Sequence, residues 1–208
     1  MNLDNGMSRS APVPSYISAF DALCSQVQED IAVMRMDSTG RDWLAAIHLC
    51  APGHWSAGDK IGKNFFSIHA PVAEVERMNR AASALVDAMI RKGPYVRFVW
   101  GFSTDLRLNH HPEPPPGADP KTWKGRTFDA SAASPFLLRV ERQVTWGLPE
   151  VNAAIFTIRV YYVDGNEIKA NPAERALLRS GLLSMTENSR RYKGLDKCMD
   201  EVLIWLDS

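Results

Sequence analysis

The chain has 208 residues, 45% of them hydrophobic and 23% charged, which is globular composition with enough length for one ordinary domain. Lys plus Arg equal Asp plus Glu at 24 each, so the formal net charge is zero. No overall field is available to draw the chain to nucleic acid or to an anionic membrane. No apolar run approaches the roughly 20 residues of a membrane helix, and residues 1–15 carry no apolar segment of the secretory kind. Cys24, Cys50 and Cys198 are scattered and odd in number, which argues against a disulfide framework and fits a reducing cytoplasm.

In chain order, residues 1–15 are rich in Ser, Pro, Asn and Gly and read as a flexible tail ahead of a single domain over 16–208. Ile17, Phe20 and Leu23 recur at near-helical spacing. Val and Ile enrichment predicts a strand over 26–36. The Asp37-Ser38-Thr39-Gly40 turn then leads to a second strand over 43–50, as in an antiparallel hairpin. Residues 51–71 are irregular. From about Val72 to Lys92 the apolar residues Val75, Met78, Ala82, Leu85, Val86 and Met89 predict one long helix, stopped by Gly93-Pro94.

Tyr95–Phe102 predicts a third strand. Residues 109–127 are polar and too rich in proline for helix or sheet. Phe136–Trp146 and Ala153–Val163 predict two longer strands joined by GLPEVN. Asn171-Pro172-Ala173-Glu174 is a helix start, with Asn as cap, Pro at the first position and Glu completing a capping-box-like arrangement. A last helix spans about Leu195–Leu206. The order β-β-α-β-β-β-α-α predicts an α+β fold: one five-stranded antiparallel sheet with helices on a face and two C-terminal helices, compatible with a PAS-like domain.

Gly58-Asp59-Lys60-Ile61-Gly62-Lys63 resembles a phosphate loop but has the wrong spacing, and Asn64 follows the lysine, so nucleotide binding through it is excluded. His110 and His111 are adjacent beside the proline-rich stretch and read as solvated surface, while His48 sits inside a strand. His69 follows Phe65, Phe66 and Ile68. It is either a helix-entry histidine bonded to backbone or an imidazole held among apolar side chains to ligate iron. Arg139, Glu141 and Gln143 alternate along one strand, as do Thr157 and Arg159 along the next. If the strands pair, these residues form either a solvated ion-paired face or a partly buried polar wall for a small ligand.

Trp55…Asp59-Lys60-Ile61-Gly62-Lys63…Ile68-His69-Ala70-Pro71-Val72 resembles the W…KxGK…IHxPV segment of the heme-dependent oxidative N-demethylases. Leu138-Arg139-Val140-Glu141-Arg142-Gln143, Leu148-Pro149, Phe156-Thr157-Ile158-Arg159 and Tyr192-Lys193-Gly194-Leu195 resemble that family's LRVERQ…LP…FTIR and YKGL elements, in order. Where the family is expected to read RxNW, Val99 replaces the Asn. The resemblance implies a PAS-like fold carrying heme b and O2-dependent oxidation of a small N-methyl amine such as dimethylamine. Formaldehyde would be released, and electrons would come from a flavin or iron–sulfur partner. It makes His69 the axial ligand, Lys60 and Lys63 partners of the heme propionates, and Arg139, Glu141 and Arg159 the distal lining. The alternatives are a non-catalytic heme- or ligand-binding sensor or accessory subunit, and a domain that has lost the cofactor.

Overall fold

A computed structural model describes residues 16–208; the tail expected over 1–15 lies outside the described residues. Five strands form one antiparallel sheet: β1 (Asp30–Met36), β2 (Asp42–His48), β3 (Tyr95–Ser103), β4 (Leu137–Leu148) and β5 (Ala153–Asp164). They lie in the order β2-β1-β5-β4-β3. This is the α+β, PAS-like arrangement expected from the element order.

Both long hairpins close on local chemistry. Gly40, at φ +83, lets its N–H reach the Asp37 carbonyl at 3.1 Å. The β4–β5 connection is a 3-10 turn at Pro149–Val151, closed by Asn152 in the left-handed region, where Asn is tolerated better than branched residues. That turn pairs odd-numbered residues of β4 with even-numbered residues of β5.

The front face therefore carries Arg97, Val99 and Gly101 from β3, with Arg139, Glu141 and Gln143 from β4. Ile158, Val160 and Tyr162 of β5 join them, as do Asp30, Ala32 and Met34 of β1. Short helix α2 (Phe65–His69) and helix α4 (Ala82–Arg91) cover one end of this face. There Phe65, Val86 and Ile90 pack on Met34, Leu44 and Ala154. The other half is covered by loops.

The back face holds the second core. Phe102 packs there with Phe136, Leu182, Leu195, Val202 and Leu206, and Leu138 and Val163 pack against them. The helices involved are α6 (Gly165–Ala170), α7 (Pro172–Leu183), α8 (Glu187–Lys193) and α9 (Met199–Asp207). Each fully buried Leu contributes about 1.5–3 kcal/mol. Beyond their reach Val96, Phe98, Trp146 and Tyr161 of the sheet stay exposed. On the edge strand β3, the Lys193 ammonium donates to the Trp100 carbonyl and lies 4.7 Å from the Trp100 ring centroid.

The helices differ from expectation in detail. The stretch expected as one helix over 72–92 begins only at α3 (Glu76–Arg80) and breaks at Ala81 before α4. Glu74 at φ +61 reverses the chain where the apolar spacing alone suggested continuity. The C-terminal part contains α6 and α8 besides the two expected helices. Asn171 caps α7 as expected, accepting N–H groups of Ala173 at 3.1 Å and Glu174 at 3.4 Å. Its own N–H closes α6 on the Glu167 and Ile168 carbonyls, so the reciprocal half of a capping box is not formed. The proline-rich segment contains one helical turn, α5 (Pro120–Trp123), capped by Asp119.

Gly147 lets α4 lie directly on β4, because a Cβ there would meet the Ile90 carbonyl oxygen at 2.0 Å. Gly147→Ala is expected to destabilise the protein by about 3 kcal/mol, as overpacking against backbone does. Urea unfolding with an unchanged m-value is the measurement that checks it.

Candidate functional site

Where loops rather than helices cover the front face, polar side chains form one chain of bonds. Arg139 is only 7% exposed. Its guanidinium donates to the Ala51 carbonyl at 2.6 Å and pairs with Glu141. The second Glu141 oxygen accepts from Gln143 Nε2 at 2.9 Å, and Gln143 Oε1 accepts from Arg97 Nε at 2.7 Å. Asp30 completes the other end, accepting the Cys50 and Ala51 N–H groups at 2.6 and 2.7 Å. Burial pushes its carboxyl above the usual range. Gly53 passes so close that a Cβ would lie 2.9 Å from Arg139 Nη1 and 3.5 Å from Glu141 Oε1. Beside Arg139, Gly101 faces open space, with nothing within 4 Å of its missing Cβ.

Arg159 and Thr157 are not part of this wall. In the β4–β5 register Arg159 opposes Arg142 and Thr157 opposes Val144, which places both on the back face. Arg159 pairs there with Glu29 at 3.3 Å. The expectation of a shared face is thus corrected by strand register: the alternation was read properly within each strand, and the parity between strands was not. Asp30 and Arg97 occupy the polar face instead.

His69 closes α2. Asn64 caps this turn by accepting from the Ser67 N–H at 2.9 Å, and Asp42 of β2 accepts the Phe65 N–H at 2.6 Å. His69 Nδ1 bonds the Phe65 carbonyl at 2.8 Å, so Nδ1 carries the hydrogen and Nε2 keeps its lone pair. Burial lowers the pKa of the ring, the Phe65 bond opposes that shift, and the nearby Arg97 and Lys60 cations add to it. The ring is accordingly neutral at pH 7. Lys60 donates to the Ile68 carbonyl at 2.7 Å and thereby fastens the turn that carries His69. Lys63 is exposed. Arg97 links the two clusters, bonded to Gln143 and close enough for its charge to act on His69.

The loops bring residues that the sequence did not single out. His110, expected in solvent, is 1% exposed, with Nε2 3.0 Å from Asp105 Oδ1 and Nδ1 buried without a partner. The reason is long-range: Arg107 bonds Asp105 and the Trp123 carbonyl, each at 2.7 Å, and lies over the Trp123 ring at 4.3 Å. This folds the proline-rich segment back onto itself. His54, in the left-handed region at φ +67, sits 5.4 Å from the His110 ring. Burial, then the Arg126, His110 and Arg139 charges, lower its pKa to about 3. Arg126 is partly buried beside the end of α8. No periodic pattern marks these positions, since each comes from a loop.

The His54 shift fixes a direction for acid stability. The unfolded imidazole takes up its proton near pH 6.5 and the folded one only near 3, so the unfolded state gains protons first. The stability held by neutral His54 is complete above pH 6.5 and is lost as the pH falls toward 3. Thermal midpoints are expected to drop on going from pH 7 to pH 5. His54→Asn, which suits a positive φ, should flatten that drop, as differential scanning calorimetry would record.

Among the described residues no helix is long and apolar enough to cross a membrane. The chain matches the family described as haem-dependent oxidative N-demethylase, alpha subunit-like, over residues 2–203. A match over nearly the whole length shows that the chain belongs to this haem-dependent oxidative N-demethylase, alpha subunit-like family.

Proposed function

We propose that the front face holds heme b with His69 as its axial ligand and that the chain oxidatively demethylates a small N-methyl amine. Haem dependence and oxidative N-demethylation follow from the family at family level, and an alpha subunit implies a partner subunit. The amine, the release of formaldehyde, the use of O2 and a flavin or iron–sulfur electron donor belong to the proposal. The observation that carries it is the His69 ring: neutral, oriented through Nδ1 by the Phe65 carbonyl, and left with Nε2 as its unengaged nitrogen. A metal-ligating imidazole is held in the same way, its other ring N–H donated to a carbonyl or carboxylate that fixes the ring. The open space beside Gly101 supports the fit. When bound, the heme supplies the iron at which O2 is activated.

The remaining roles rest on the side chains themselves. Arg139 and Gln143 each bond one oxygen of Glu141 and orient the carboxylate. Each oxygen retains acceptor capacity for the N–H of a protonated amine. Val99 lies opposite Glu141 on β3 and offers an apolar surface to an N-methyl group. The buried Asp30 carboxyl, its pKa raised by burial and also by Glu141, adjoins the same wall. Lys60 acts by fastening α2. Arg139 and Glu141 would line the space beside the heme, and Arg159, being on the back face, acts there only through the sheet.

Two substitutions test the reading. His69→Ala should abolish the Soret band of reconstituted protein while leaving the thermal midpoint within a few degrees. An unchanged spectrum would refute the ligand assignment. Glu141→Gln should retain heme and lower reductant-driven formaldehyde release by about 100-fold, the scale of a positioned acid–base group. Equal release by both proteins would make the polar wall purely structural, and no release by the wild type would favour the sensor alternative.

A further inference from the structure

Among the described residues Arg126 is a cation without a counterion. Among the described residues no carboxylate lies within ion-pair distance of it, whereas Arg139 beside it is paired with Glu141. Arg126 Nε is shielded from water and bonded to nothing, and Nη1 makes only a long bond of 3.5 Å to the Tyr192 carbonyl. Burial lowers its pKa to about 10, with Tyr192 opposing the shift and Arg139 adding to it. A guanidinium withdrawn from water in this way is costly unless something anionic reaches it.

The backbone nevertheless makes room for it. Gly194 ends α8 at φ +76, and a Cβ there would stand 2.4 Å from Arg126 Cδ. Its neighbour Gly125 packs on His110, where a Cβ would lie 2.7 Å from Nε2, and the His110 ring stacks on His54; Arg126 thus stands beside the loops that cover the front face, and its charge acts on His54. A guanidinium suits a planar, two-oxygen anion, because two of its N–H groups can donate to the two oxygens in parallel.

We propose that Arg126 anchors a carboxylate of the ligand bound on the front face, namely a propionate of the heme. This rests on the heme reading above and assigns to Arg126 the role that the resemblance had given to Lys60 and Lys63. Lys60 is occupied with the Ile68 carbonyl and Lys63 is exposed.

The test compares hemin with hemin dimethyl ester, whose propionates carry no charge. Both are titrated into apo wild type, Arg126→Leu and Arg126→Lys, with affinity read from tryptophan quenching and the Soret band. Arg126→Leu should weaken hemin binding by about 10- to 100-fold, the scale of a lost charge-assisted pair, and leave ester binding unchanged. Arg126→Lys should restore part of the difference. The apo Arg126→Leu protein should melt no lower than wild type, because a partly buried charge without a carboxylate partner has gone. Equal hemin affinity in wild type and Arg126→Leu overturns the assignment, as does an equal loss for hemin and ester together with a lower melting point. Wild type binding neither compound sinks the heme reading and the anchor with it. Hemin binding that ignores Arg126 sinks the anchor alone.

Discussion

The site depends on one buried cation. Arg139 stands in the middle of a sheet face at 7% exposure, and its guanidinium bridges the Ala51 carbonyl and Glu141. Breaking such a pair from one side costs about 3–5 kcal/mol, because the surviving charge is left without a partner. The loop over residues 50–53 is therefore held to the sheet by electrostatics where packing would otherwise be needed. Asp30 fastens the same loop from β1 through the Cys50 and Ala51 N–H groups. Removal of either anchor would free the segment that carries Gly53 and His54 across the face.

The sheet divides its labour along its length. At one end α4 presses apolar side chains on β1, β2 and β5, and at the other the cover is made of polar loops around Arg139, paired with Glu141, and Arg126, which among the described residues has no carboxylate partner. A low-dielectric surround strengthens each of these charges and makes any unmatched one costly. The polar half is thus poised toward an anionic or hydrogen-bonding ligand, while the apolar half supplies rigidity. His69 belongs to both halves: its helix packs through Phe65 into the apolar cluster, and its ring feels the Arg97 charge.

Much of this was legible from sequence. Period-two alternation exposed Arg139, Glu141 and Gln143 as one face, Gly40 and GLPEVN marked the hairpins, and Asn171-Pro172 marked the start of α7. Parity between strands was not legible, because it is set by the 3-10 turn and the left-handed Asn152, and Arg159 was misplaced for that reason alone. The burial of His110 was hidden too. Its neighbours in sequence are polar and proline-rich, while the Pro52 and His54 backbone, the His54 ring and Gly125 reach it only in the fold. Arg126 gave no signal, since a lone loop arginine is ordinarily solvated. The role proposed for His69 came through the resemblance of IHAPV, and the geometry of its ring could come only from the structure.

Strand β3 ends the sheet, and an open strand is an invitation to further strands. The Lys193 ammonium occupies the Trp100 carbonyl and covers the indole face. A second molecule that tried to extend the ladder would have to displace a cation and bury it. The C-terminal helices thereby do more than close a core: they guard the chain against the sideways growth that turns a folded sheet into a fibre.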